Sequence, residues 1–545
     1  MNSALLLLPL LAVATPGVNS PGVGGASAGT SMSTSSNAVE APTFAEDVAP
    51  IFFDHCVSCH RPGQVAPMSL LSYKEARPWA RSIERQVTAR DMPPWSGDSD
   101  KHKWSNDISL SDAEIETISR WVRGGAPAGD QAAMPEAPTF PHTWTLGEPD
   151  FVLTMDPVAV PAEGEDLFPK QILSLQDLDR TRWVRAIEFR PSDPRAAHHF
   201  QLTYQTPGTS NNQVGEYREE DDLEGRGGSG VFGIWTAGMP PYVFPEGMGR
   251  IISPETQILA DLHYHPFGEA TTDQTRVGIY FGEGPIQKEV ATLFGTNTGI
   301  RIPPGAGDHA ELAFHVFDRD MELLAFSPHM HVRGKAMKYQ VTYPDGSKEV
   351  LLDVPKYDYN WQWLYYPTAP IPIPEGSRLD ITAVWDNSED NPANPDPSKE
   401  ILYRGDTFNE MFVGFFEAIP ADGTFHDPPK PLDRLKQLLA AHPAADSYYA
   451  GGFLPFGFYA PKEGEGWLYL AAGAAMFTIT LDDIQWDGDK LKIVAQFPTP
   501  EASATTSIVE AQLNEKGELI GTFDYGIDSA QPMKLPFKGM PVEQP

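Results

Sequence analysis

From Thr43 to about Asp130 the apolar positions recur at helical spacing, and beyond Met134-Pro135-Glu136-Ala137-Pro138 that periodicity fades. Val48, Ile51 and Phe52 form an apolar stripe, and a last helix opens on a capping box, Ser111 with Glu114. Its buried face is predicted as Ile115, Ile118, Trp121 and Val122, and Gly124-Gly125 stop it. Downstream, short runs rich in Val, Ile, Tyr, Phe and Trp alternate with Pro and Gly breaks, the texture of β-sandwiches. Asp433 to Ala441 reads as a short helix. After Trp467, alternating segments such as Phe477-Thr478-Ile479-Thr480-Leu481 and Leu491-Lys492-Ile493-Val494-Ala495 predict an antiparallel sheet or small barrel. The segment 428–545 shows no chemistry, so packing or partner docking is its expected role.

The helical unit carries the only two cysteines of the chain, in His55-Cys56-Val57-Ser58-Cys59-His60. This is the C-x-x-C-H attachment signature of a c-type haem: two thioether bonds, with His60 placed to reach the iron. A zinc half-site or a redox dithiol would need further ligands or a βαβ context, and neither is visible. The helices around the motif resemble the class I cytochrome c pattern, so an all-α cytochrome c domain is expected over 43–130. Such a domain takes a sixth iron ligand, usually a Met. Met92, followed by Pro93-Pro94, is the first choice, Met68 the competitor, and a vacant sixth position the remaining alternative.

Haem attachment of this kind is completed outside the cytoplasm. The first residues fit export: Leu5 to Leu11 are apolar, Ala12-Val13-Ala14 reads as a cleavage site, and no basic residue precedes them. A signal peptide over 1–14, a disordered Gly/Ser/Thr linker over 15–42 and a periplasmic or secreted location follow as expectations. The length of 545 residues predicts three or four domains, and 41% hydrophobic content is ample for their cores. A net charge of −34 argues against nucleic acid or an anionic membrane as partner. No later apolar run is long enough to span a bilayer, so no membrane anchor is expected.

Six of the fourteen histidines fall in three motifs of the β region: Ala197-His198-His199-Phe200, Leu262-His263-Tyr264-His265-Pro266 and Pro328-His329-Met330-His331. On a strand, alternate side chains share a face, so His329 and His331 can grip one metal ion, as can His263 and His265. Adjacent His198 and His199 share a metal only at a strand end or bulge. Imidazole suits Zn, Cu, Fe and Ni, and a thioether selects Cu(I). Met411, in Asp406-Thr407-Phe408-Asn409-Glu410-Met411-Phe412, is a thioether of that kind.

The ordered set His198-His199, Leu262-His263-Tyr264, His329-x-His331-x-x-Gly334 and Glu410-Met411 resembles the copper type II, ascorbate-dependent monooxygenases, the group of peptidylglycine α-hydroxylating and dopamine β-monooxygenase. The resemblance covers Trp144 to Ala418. It implies two jelly-roll-like sandwiches in tandem, 144–290 and 291–425, each holding one copper ion. His198, His199 and His263 would bind the electron-transfer copper, and His329, His331 and Met411 the catalytic copper. His265 has no ligand role in that pattern. The implied reaction inserts one atom of O2 into a C–H bond of a small-molecule substrate, two electrons and two protons reducing the other atom to water. Ascorbate or a periplasmic protein donor would supply the electrons.

Peptide-amidating members hold a substrate carboxylate at positions that here are Ser327, Val413 and Phe415, which makes a less polar substrate the expectation. Two other classes stay open on sequence: a haem and copper electron-transfer protein without substrate, and a copper-binding or copper-storage protein. Met411 favours the enzyme, because a relay needs no open ligand position and a store would show many more Met and Cys.

Overall fold

Along Arg378–Trp385 burial alternates residue by residue, with Leu379, Ile381, Ala383 and Trp385 fully buried. One face of this strand therefore meets a core and the other faces out, as a half-buried sheet requires. The computed structural model describes residues 41–542 except 100, 142, 206–228, 406, 423–434, 437, 440–441, 443–445, 451–454, 473–474, 499–503 and 529–531. The expected signal peptide and nearly all of the linker lie outside the described residues, as does most of the helix expected over Asp433 to Ala441.

Two pairs of antiparallel sheets follow one another. In the first, a sheet built on Phe151–Thr154, Arg276–Phe281, Arg182–Arg190 and Met248–Ile252 faces a four-stranded sheet of Lys170–Ser174, Gln257–Tyr264, Ala197–Gln205 and Ser229–Thr236. Ile187, Phe200, Leu202, Phe232, Ile258 and Val277 fill the space between them. In the second, Ala291–Thr296, Val413–Pro420, Met321–His329 and Ile371–Ile373 form one sheet, and His309–Val316, Arg378–Trp385, Gly334–Thr342 and Lys348–Val354 the other. Leu323, Phe326, Met337, Tyr339, Ile381 and Phe416 are their common core.

The last eight strands, from Ser447–Ala450 to Met533–Pro541, close into a barrel. Phe456, Phe458, Phe497, Phe523 and Phe537 fill its interior, with Phe456 and Phe523 only 4.9 Å apart between ring centroids. The barrel sits on the second sandwich through Asn297 Nδ2, which donates to Thr480 Oγ1 (2.7 Å), and through the Phe294–Phe477 ring contact (5.8 Å). No described helix is long and apolar enough to cross a membrane.

The expectation of an all-α cytochrome c domain over 43–130 is not met. Among the described residues β-structure dominates, with 44% strand and 11% helix, and the helices of this region are short: Ala49–His55, Tyr73–Ala76, Ala80–Thr88 and Asp112–Arg123. The cause lies between the last two. That stretch gives its backbone donors to the second sandwich, with Asp98 and Asp353 exchanging N–H···O bonds of 2.7 and 2.9 Å and Ser105 N donating to Tyr366 O (2.7 Å). Trp104 is 7% exposed and belongs to the sandwich core, edge-on to Tyr365 at 5.7 Å. A segment whose anchor side chain is buried in a neighbouring sandwich cannot close a separate helical domain. The helices keep their local logic: Ser111 and Glu114 form the capping box, while Ile118 and Trp121 are buried and Ile115 and Val122 partly so.

The two sandwiches are locked by a buried ion pair. Arg250 Nη2 on the first donates to Glu417 Oε1 on the second at 2.5 Å, with the side chains 1% and 6% exposed. Arg250 also donates to Val290 O and Thr292 Oγ1 (3.0 Å each). Removing one partner strands the other charge in the interior. Arg250→Met is expected to cost about 3–5 kcal/mol, and the double variant Arg250→Met/Glu417→Leu to recover most of it. Urea unfolding midpoints of the three proteins check this.

Candidate metal centres

His198 and His199 lie at the start of Ala197–Gln205, which pairs with Gln257–Tyr264 and sets His199 opposite His263. The register slips between Ala197 and His199. This irregularity does what a bulge does: it lets neighbouring side chains share one face. The three rings meet through their Nδ1 atoms, at 2.8 Å (His198–His263), 3.0 Å (His198–His199) and 3.4 Å (His199–His263). A tetrahedral ion about 2.0–2.1 Å from each nitrogen sets them roughly 3.3 Å apart.

The outer nitrogens fix the tautomers. His198 Nε2 donates to Asn360 Oδ1 (2.9 Å), and His263 Nε2 donates to Asp166 Oδ2 (2.7 Å). With the proton on Nε2, the Nδ1 lone pairs of these rings point at one another, an arrangement that a cation in their midst turns from repulsive to binding. Burial, helped by the nearby His263, pushes the His198 imidazole down to about 4, and the same two causes hold His199 well below its ordinary value. Neutral rings are the ones that bind metal. Burial alone would raise the Asp166 carboxyl, but hydrogen bonds from His263 and His265 outweigh it and hold it at about 2. His265, whose Nδ1 meets Asp166 Oδ1 at 2.7 Å and whose side chain is 63% exposed, braces the carboxylate from outside. The shared face of His263 and His265 thus brings both rings to Asp166, and only His263 to the cluster.

His329 ends the strand Met321–His329, and His331 follows two residues on, with ring centroids 5.4 Å apart at 89°. His329 Nδ1 donates to Gln362 Oε1 (2.7 Å), and His331 Nδ1 donates to the Asn409 carbonyl (3.0 Å). The lone pair of each ring therefore sits on Nε2, the opposite tautomer to the first cluster.

Glu410 draws the Met411 segment to this pair. Its carboxylate is fully buried and accepts from His331 N (2.7 Å), Arg333 N (2.7 Å) and Trp385 Nε1 (3.1 Å). Burial pushes this carboxyl up to about 8, against those donors and the Arg333 charge. Arg333, 1% exposed, reaches the Phe408 carbonyl (2.8 Å) and ties the same loop again. Met411 itself is partly buried against the second core. Beside His329, Ser327 pairs with Phe415 and His329 with Val413 across the sheet. The three positions that differ from the carboxylate-binding pattern are thus together, and none carries a charge.

A strap that sequence reasoning missed runs between the two clusters. Asn360 holds His198 and Gln362 holds His329. The ring of Tyr359 lies 5.9, 5.5 and 5.7 Å from His198, His199 and His263, and 6.1 Å from His331. The visible signal was the density of aromatics from Tyr357 to Tyr366. Asp166 gave no signal, lying in the acidic stretch Glu163-Gly164-Glu165-Asp166, and Glu410 was visible only as the residue before Met411.

Cys56, Cys59 and His60 line a cavity of about 430 Å³ whose wall includes Val65, Leu70, Ile83, Val87, Met68 and Met92. Burial, with smaller effects of Cys59 and Glu114, pushes the Cys56 thiol up to about 12, and burial raises Cys59 as well. Among the described residues the one cluster of three His, Cys, Asp or Glu able to hold a metal ion is His198, His199 and His263, so nothing completes a zinc site at the two cysteines. His60 Nδ1 donates to the Met68 carbonyl (3.2 Å), which leaves Nε2 as the lone-pair nitrogen. Gly238, which also lines the cavity, lies directly against Cys59: a Cβ there would lie 2.3 Å from Sγ. Pro240, Trp361 and Trp363 share that wall, so the strap that braces both clusters also bounds this cavity. Comparison with protein-family models and with curated proteins found no match to this chain.

Proposed function

We propose that this protein is a periplasmic, haem- and copper-dependent monooxygenase that hydroxylates a C–H bond of a small apolar substrate, its electrons entering at the Cys56–Cys59–His60 cavity. The observation that carries the reading is the convergence of three Nδ1 atoms within 3.4 Å beside a second imidazole pair, with one phenol ring between the two sets. It supports the resemblance to the copper type II monooxygenases on geometry that does not depend on motif matching.

Copper at the two centres would store one electron each and activate O2 at the second. His198, His199 and His263 would hold the first ion by Nδ1, His329 and His331 the second by Nε2, with Met411 as the soft ligand that keeps it reducible. Asp166, Asn360 and Gln362 orient the imidazoles from behind, each accepting the N–H that sets the tautomer. Val413 and Phe415 give the His329 side an apolar wall that excludes charge, and this sets the substrate class.

The cavity fits a haem bound through Cys56 and Cys59. Its size lies in the range of small-molecule pockets, its wall is mainly apolar, and His60 presents Nε2 with Nδ1 held by a backbone carbonyl, the usual support of a ligating histidine. Met92 and Met68 both line the cavity, and Met92 would serve as the sixth ligand with Met68 as the alternative. Gly238→Val puts side-chain carbons into Cys59 at a backbone φ of +89°, where L side chains are strained. Covalent haem per chain, read from the pyridine haemochrome spectrum, is expected to fall severalfold with secondary structure retained.

The test of function is anaerobic reduction of the holoprotein, then O2 together with an apolar metabolite extract. Substrate-dependent oxygen uptake and a product heavier by one oxygen atom are expected. Uptake that ignores every extract would favour an electron-transfer protein.

A further inference from the structure

We infer that Tyr359 is the electron relay between the two histidine centres. The inference rests on the proposed function, which places a copper ion at each centre. A single ring borders both: it contacts His199 edge-on (5.5 Å, 88°) and His331 edge-on (6.1 Å, 76°) and lies against His198 and His263 within 5.9 Å. Electron tunnelling decays steeply with distance and is faster through packed atoms than across solvent, so a ring packed against ligands of both centres offers a dense path between them.

Its position is tightly held. Asn360 and Gln362, one and three residues on, are hydrogen-bonded to His198 and His329, so each centre grips the strap that carries the ring. Gln362 Nε2 returns a bond to the Tyr359 carbonyl (3.2 Å), and Trp361 N donates to Asp358 O (2.9 Å). Tyr359 Oη lies 3.4 Å from Thr407 Oγ1.

With copper held by His198, His199 and His263 and by His329, His331 and Met411, one electron would pass from Cu(I) at the first centre to Cu(II) at the second, oxidising the first and reducing the second with no bond or proton moved. The aromatic ring is the part that matters, so Tyr359→Phe is expected to keep the rate while Tyr359→Leu lowers it.

The experiment uses the full chain loaded with Cu(II), given one electron anaerobically by a photogenerated one-electron reductant and freeze-quenched for EPR. His263→Ala and His329→Ala supply the signal of each centre alone. With copper content checked by mass spectrometry, the arrival of the electron at the second centre should slow by an order of magnitude or more in Tyr359→Leu and stay close to wild type in Tyr359→Phe. A wild-type rate in Tyr359→Leu overturns the relay, and so does an equal loss in both variants. Loss of copper from Tyr359→Leu would make the ring a structural wedge and also overturn it. A wild-type chain that binds no copper fails at the loading step, and there it is the proposed function that falls.

Discussion

His329→Ala and Met411→Ala are expected to abolish oxygen-dependent turnover while the haem spectrum and the metal of the first centre persist. His329 shares no hydrogen bond with the first cluster, its Nδ1 being given to Gln362, so its loss empties the second centre alone. His263→Ala should act in the opposite sense. It removes one of three converging Nδ1 ligands and frees Asp166 from its inner partner, stopping electron delivery while the reduced second centre still binds carbon monoxide. Infrared detection of bound carbon monoxide beside turnover separates the two. Carbon monoxide binding lost in His263→Ala but kept in His329→Ala and Met411→Ala would reverse the assignment of the centres.

Glu410→Ala is expected to lower copper affinity at the second centre by about 10–100-fold and to leave the first unchanged, the usual scale for removing a group that supports metal ligands. Its carboxylate accepts from the backbone of His331 and Arg333 and from the Trp385 indole, all buried. Without it three donors lose their acceptor and the Met411 loop loses one of its ties to the His-x-His turn. Glu410→Gln keeps an acceptor oxygen and should fall between the two. Copper titration of the apoprotein, followed by EPR, checks the order wild type, Glu410→Gln, Glu410→Ala. Equal affinities would show that the Met411 segment is placed by Arg333 and its contact with Phe408 instead.

What the sequence made legible was local. The capping box at Ser111 and Glu114 is there because it depends on four consecutive residues. The alternating stretches Phe477 to Leu481 and Leu491 to Ala495 lie in the strands Ala475–Asp487 and Lys490–Pro498, since period-two burial is written in the chain. The condition set for His198 and His199, a bulge, can be stated from strand geometry and is found as a register slip.

Long-range features were not legible. Trp104 reads as one more apolar residue of a helical region, yet it is buried in a sandwich core formed more than two hundred residues later, and this removes the separate all-α domain. Asn360 and Gln362 lie on an irregular segment with no metal-ligand pattern. Their role comes from contacts with His198 and His329 that only the packed chain creates. Asp166 acquires its partners in the same way, across nearly a hundred residues of sequence.

The central claim is that one chain holds a covalent haem at Cys56, Cys59 and His60 and one copper at each of two histidine centres. The most direct test is the haem and metal content of exported, copper-supplied full-length protein, by haemochrome spectrum and elemental mass spectrometry. One haem that survives acid acetone and two coppers per chain are predicted. Haem extracted by acid acetone, or zinc in both histidine centres after copper supply, would contradict it.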